Sequence, residues 1–163
     1  IFAYWKDEKN GILEISASEP GYEIKAPKSM QAFFSDYPRY RSLIASRIHF
    51  LDVSHLDVSR TDTFTDCFKG FGAGTDSKII GLENWDVSKV TNMMFMFQGC
   101  ENFNSDLSKW DVSSVKDMYA MFWDCENFNS DLSKWDVSNV TDMRNMFYSC
   151  DSLKNKPSWY INR

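Results

Sequence analysis

Histidine is almost missing from this chain, which has two, His49 and His55, in 163 residues. A nucleophile, His and acid arrangement therefore has little to draw on, and no Gly-rich phosphate loop interrupts the sequence, so no catalytic residue is nominated and the reading is of a non-enzyme. Apolar runs fall well short of the ~20 residues of a membrane span, and no basic, apolar, small-residue leader opens the chain. A start at Ile1 rather than Met points to a trimmed or processed piece. A basic excess is also lacking: the net charge is −5, which argues against a general nucleic-acid binder. The acidity is uneven, with 7 Lys or Arg against 6 Asp or Glu in residues 1–50 and 11 against 17 in residues 51–163.

What the chain does have is repetition. Residues 101–110 and 126–135 are the same decapeptide, Glu-Asn-Phe-Asn-Ser-Asp-Leu-Ser-Lys-Trp, 25 positions apart. Around it the frame Trp-Asp-Val-Ser-x-Val-x-x-Met-x-x-Met-Phe-x-x-Cys occurs at Trp85–Cys100, Trp110–Cys125 and Trp135–Cys150. A worn copy runs from Leu56 through Asp57, Val58, Phe64 and Phe68 to Phe71, set off by a short insertion within Gly72–Lys78.

The period divides each unit in two. Leu107, Trp110 and Val112 alternate with Lys109, Asp111 and Ser113 and predict a short strand with the apolar set inward. Val115, Met118, Met121 and Phe122 fall at i, i+3, i+6 and i+7 and predict a helix, with Ser113 at its cap and Asp117 at its positive end. Stacked units of this kind predict an α/β solenoid, leucine-rich-repeat-like, with a parallel concave sheet and convex helices. About four repeat coils span 51–153. Residues 1–50 read as an N-terminal cap: a β-hairpin of Phe2–Lys6 and Gly11–Ile15, a loop at Pro20–Pro27, and a short helical stretch over Met30–Ile44 interrupted by Pro38. Residues 154–163, with Trp159 and Tyr160, read as a C-terminal cap closing the last coil.

The frame resembles the BspA-like, mycoplasma-lipoprotein-type repeats of bacterial surface proteins over residues 51–153, and Trp5-Lys-Asp followed by Gly11–Ile15 looks like the hairpin that often precedes them. That resemblance implies a leucine-rich-repeat-like fold, a cell-surface or secreted setting, and adhesion to host proteins or to other cells. It implies no catalytic residue and no cofactor. The chain departs from the pattern in its few repeats and eroded first copy.

Two candidate binding faces follow. In the expected stack, Asp57, Asp86, Asp111 and Asp136 form one row beside Ser59, Ser88, Ser113 and Ser138, flanked by His55, Asn84, Lys109 and Lys134. A polar or basic ligand suits such a row; the plainer reading is that Asp and Ser bond nearby backbone N–H groups, and calcium is the third, against which stands the absence of an Asp-rich loop of metal-binding spacing. Phe95, Tyr119, Trp123 and Tyr148 lie off the Met stripe and form an aromatic candidate contact face for a protein ligand, the plainer reading being shielding of the core rim. Trp85, Trp110 and Trp135 read as core rather than as a sugar-binding row. The Met ladder with Cys100, Cys125 and Cys150 invites copper(I), but its inward phase favours space-filling, and the cysteines read as a row of buried free thiols, Cys67 aligning with Met96. Asn139-Val-Thr141 matches a glycosylation acceptor. Against the adhesion reading stands a structural one, in which the repeats are a spacer or stalk and the ligand site lies elsewhere.

Overall fold

The computed structural model describes residues 2–7, 12–16, 24–35, 50–74 and 76–161. Two strands open it: β1 (Phe2–Asp7) and β2 (Ile12–Ser16) pair antiparallel, with Phe2 opposite Ser16 and Trp5 opposite Leu13. A two-residue strand, β3 (Ile24–Lys25), follows. Further along, β4 (Phe50–Asp52) runs parallel to β2 and to β6 (Lys78–Ile80), giving the sheet order β1-β2-β4-β6. Strand β5 (Leu56–Asp57) pairs parallel with β3 in a second, two-stranded sheet.

Beyond β6 the repeats contain no strand and no α-helix among the described residues; one 3-10 turn, Leu82–Asn84, is the nearest thing. The α/β solenoid, leucine-rich-repeat-like with a parallel concave sheet and convex helices, is therefore wrong. In the N-terminal segment, residues 31–34 form turns rather than a helix, and the rest of the expected helical stretch lies outside the described residues.

The segments read as helices are chains of linked turns. In the unit at 93–100, Met96 N–H donates to Met93 O, Gln98 to Phe95 and Cys100 to Phe97, each spanning three residues. A left-handed residue stands at every fourth place: Phe95 and Gly99 with φ of 57° and 73°, Ala120 and Asp124 with 52° and 57°, Asn145 and Ser149 with 58° and 53°, and Asp66 and Gly70 with 56° and 73°. Positive φ at the third residue of a turn is the type II pattern, and it stops an α-helix from propagating. Freed from i→i−4 bonding, alternate N–H groups reach sideways. Phe95 N–H donates to Tyr119 O, Phe97 to Met121 and Gly99 to Trp123; one unit later Ala120 donates to Arg144, Phe122 to Met146 and Asp124 to Tyr148. Single parallel bridges link Ser29, Thr63, Asn92, Asp117 and Asp142 in the same ladder. Beyond β6 most of the inter-repeat backbone bonds thus lie on the Met-Phe side, with Asn127 N–H to Glu101 O and Ser152 N–H to Glu126 O just past the Cys.

Apolar side chains fill the space between the turn ladder and the rest of each coil. Phe34, Phe68, Phe97, Phe122 and Phe147 stack face to face with centroids 5.0, 5.5, 5.6 and 5.7 Å apart. Such pairs contribute ~0.5–1.5 kcal/mol each beyond area burial. Trp85, Trp110 and Trp135 are buried, and each indole N–H donates to a carbonyl of the preceding coil: Val53, Leu82 and Leu107 at 3.2, 2.8 and 3.0 Å. Trp159 repeats the move on Leu132 O at 2.9 Å and lies parallel to Trp135 at 6.3 Å. The thiols do likewise, Cys100, Cys125 and Cys150 each donating at 3.0 Å to the carbonyls of Phe68, Phe97 and Phe122. All four cysteines are free and buried.

Candidate functional site

The turn ladder fixes where the aromatic candidates stand. Met94, Tyr119 and Arg144 occupy one row, their carbonyls accepting from Asp66, Phe95 and Ala120; Gln98, Trp123 and Tyr148 occupy the next, accepting from Gly70, Gly99 and Asp124. Rows rather than a helical face bring Phe95, Tyr119, Trp123 and Tyr148 together, and they do so as two pairs. Phe95 meets Tyr119 edge to face at 5.2 Å, and Trp123 meets Tyr148 at 4.8 Å. Phe95, Tyr119 and Trp123 are half-buried, whereas Tyr148 is 56% exposed.

Two cations flank the first pair. Lys69 Nζ sits 4.5 Å above the Phe95 ring and the Arg144 guanidinium 5.6 Å from Tyr119. Each cation also has a carboxylate: Asp66 at 3.3 Å from Lys69, and Asp142, which Arg144 grips through Nε and Nη2. That guanidinium holds the Asp142 carboxyl below its ordinary value. The line Lys69, Phe95, Tyr119, Arg144 crosses successive coils with alternating charge and ring; the signal for the two cations was the repeat itself, since Arg144 falls at the position of Tyr119 and Lys69 at that of Trp123 and Tyr148.

The Asp and Ser candidates fall differently. Asp57, Asp86, Asp111 and Asp136 each turn back on their own backbone, accepting the N–H of Ser59, Ser88, Ser113 and Ser138 at 2.9, 3.1, 3.1 and 3.0 Å. The Ser113 hydroxyl adds a 2.6 Å bond to Asp111 and Ser88 a 2.7 Å bond to Asp86. Asp57, Asp111 and Asp136 are held below the ordinary carboxylate value by these Ser hydrogen bonds. Such Asx turns occupy part of each carboxylate's accepting capacity and turn the chain where the repeat needs it.

Lys109 and Lys134, expected beside that row, instead line a polar recess of about 630 Å³ with Asn104, Asp106, Asn129 and Asp131. These partners come from the duplicated decapeptide, whose exact repetition was the available signal for them. Asp57 and Asp86 line a different recess of about 470 Å³ with His55 and Asn84. Of the predicted concave set, Lys109 and Lys134 thus line one recess and Asp57 and Asp86 the other, while Asp111 and Asp136 line neither. No group of three or more His, Cys, Asp or Glu is placed to hold a metal among the described residues. Asn139 is exposed, its Nδ2 donating to Ser113 O at 2.7 Å, and the Thr141 hydroxyl donates to Lys116 O at 2.9 Å. Among the described residues no helix is long and apolar enough to cross a membrane.

Comparison with known proteins gives one relationship. The profile of a bacterial family described as "Mycoplasma protein of unknown function, DUF285" matches residues 62–163, which takes in the turn ladder from Thr63 onward and both aromatic pairs. No curated protein and no solved structure matches the chain. With a match over more than half its length, the chain belongs to the DUF285 family of Mycoplasma proteins.

Proposed function

We propose that the chain is a non-catalytic protein-interaction module of a bacterial cell-surface or secreted protein, related to the BspA-like repeat proteins its frame resembles, and that it adheres to host proteins or to other cells. The observation that carries this reading is Phe95. A bulky ring sits on a backbone with φ of 57°, where the corresponding positions hold Asp66, Ala120 and Asn145, and it does so half-exposed between Lys69 and Tyr119. Left-handed backbone at a non-Gly residue costs ~1–2 kcal/mol, and such strain gathers at functional positions. Aromatic and Arg side chains on a hydrogen-bonded scaffold make effective anchors, because little side-chain entropy is lost on binding.

The test is binding of the chain to extracellular-matrix glycoproteins, epithelial cells and bacterial cells, beside folded double variants Phe95→Ala/Tyr119→Ala and Trp123→Ala/Tyr148→Ala. An anchoring pair costs about 2 kcal/mol or more on truncation, roughly a 30-fold loss of affinity. Loss with either variant supports this face; binding unchanged by both moves the site to the polar recesses. The spacer reading has its own support in the Asx turns, which commit the Asp carboxylates to their own backbone, and it predicts that no partner in the panel binds.

A further inference from the structure

A second column of rings stands beside the stack of Phe97, Phe122 and Phe147, and it is broken by the insertion. Phe103 and Phe128, one from each decapeptide, lie near-parallel with centroids 5.9 Å apart, and each stacks on the Phe of its own coil, Phe97 at 4.1 Å and Phe122 at 4.2 Å. In the coil before Phe103 the equivalent place falls on Gly74 when counted from Phe71, and on Lys78 when counted back from Leu82. Neither carries a ring. Phe71 does not supply one either: it occupies the position of Cys100 and Cys125 and meets Phe68 edge to face, at 81°. Phe103 therefore has ring neighbours in its own coil and in the following one, and none in the preceding coil among the described residues.

A pocket of about 320 Å³ occupies that place, between Phe71, Lys78 and Ile79 on one coil and Cys100, Phe103 and Asn104 on the next. Phe71, Ile79, Cys100 and Phe103 are all buried, so its floor is apolar, and the Ser105 hydroxyl ties the two coils beside it by donating to Ile79 O at 3.0 Å. The break in the repeat leaves a polar group over as well. Asn129 N–H donates to Asn104 Oδ1 at 2.9 Å, whereas Asn104 N–H, at the same place one coil earlier, has no acceptor among the described residues. Lys78 adds a positive charge, and no Asp or Glu lines the pocket, in a chain whose net charge is −5. The site thus offers a ring face, an N–H donor and a cation together.

We propose that this pocket binds a small aromatic monocarboxylate. The ring extends the Phe103–Phe128 column on the open side of Phe103, where offset stacking favours a planar π-system, and the carboxylate accepts from Asn104 N–H and pairs with Lys78, a charge-assisted contact stronger than a neutral one. The volume lies at the small end of ligand sites, which suits one ring with a short acid arm better than a length of peptide. This site involves neither aromatic pair and stands whether or not the chain is an adhesin.

The test is an NMR titration of the full chain with phenylacetate, followed through backbone amide shifts. Saturable sub-millimolar binding is expected, with the largest shifts at Ile79, Phe103 and Asn104. Cyclohexylacetate keeps the charge without a planar ring, phenylacetamide keeps the ring without the charge, and each should bind at least five-fold more weakly. Lys78→Ala, a change at an exposed side chain that spares the core, should weaken phenylacetate at least five-fold and leave phenylacetamide as it was. Absence of saturable binding overturns the proposal, as do largest shifts elsewhere in the chain, equal binding of cyclohexylacetate, or a Lys78→Ala variant of unchanged affinity. Binding of a capped Asn-Phe-Asn peptide where the acids fail overturns it too, and would assign the pocket to a protein partner.

Discussion

Gly99 and Gly81 show how differently one residue type serves this chain. A Cβ on Gly99 would meet nothing closer than the Gly70 Cα at 3.7 Å, so Gly99→Ala pays only for a side chain at φ of 73°. A loss of ~1 kcal/mol in urea unfolding is expected. At Gly81 the same atom would collide with the Ser54 backbone nitrogen and Cα. Gly81→Ala should therefore cost more than twice as much, through displacement of the chain next to β4. Trp110→Phe keeps an aromatic ring but leaves a cavity where the larger indole lay and removes the N–H that Leu82 O accepts at 2.8 Å inside the core. The unpaired carbonyl alone costs about 1–3 kcal/mol and the cavity adds to it, so a loss above that range is expected, measured in the same way. Titration sets limits on both sides. The Ser-bonded carboxylates, with depressed folded values, contribute stability that is present above the ordinary Asp value of about 3.9 and lost as pH falls through the folded values. Burial raises the thiols instead, Cys150 to about 12. Their contribution is complete below the ordinary thiol value of about 8.5 and is lost as pH climbs from there toward the folded values, so thermal stability should fall on the alkaline side. In the folded protein none of the four thiols should react with a disulfide reagent at neutral pH, and all four should react once it is unfolded.

At the scale of the element, the inward set was legible and the backbone was not. Val115, Met118, Met121 and Phe122 are all fully buried, as their phase requires. Yet apolar residues at three- and four-residue spacing arise from linked turns as readily as from a helix, because both return the chain to the same side every three or four residues. The discriminating signals were Gly70 and Gly99 inside the supposed last helical turn, and the brevity of a stretch of about eight residues, which is marginal as a helix. Ala120 and Phe95 carry no such warning; only neighbouring coils hold them left-handed, and a single sequence does not display that tertiary demand. The strand assignment failed for the complementary reason. Trp110 and Val112 do point inward, but Asp111 accepts the N–H of Ser113 and turns the chain before a ladder forms. Among the site residues, the aromatic candidates were visible from their phase, and Lys69 and Arg144 share it, at the repeat positions of Trp123 and Tyr119; what the turn ladder adds is which cation meets which ring.

For the molecule as a whole, lateral hydrogen bonding, the Phe stack and the Trp and Cys side-chain bonds all run along the same direction, from each coil to a neighbouring one. Stability then comes mainly from contacts between units rather than within them, as in other repeat architectures. The aromatic face depends on this, since Phe95 and Tyr119 belong to successive coils and meet only because Phe95 N–H bonds Tyr119 O. The measurement that tests this most directly is detection by NMR of scalar couplings across the backbone hydrogen bonds. Couplings from Phe95 N–H to the Tyr119 carbonyl, and from Phe122 N–H to that of Met146, are the expected result. Couplings from Phe97 to Met93 and from Phe122 to Met118 would mean that these segments are helices after all, and would contradict the turn ladder and the face built on it.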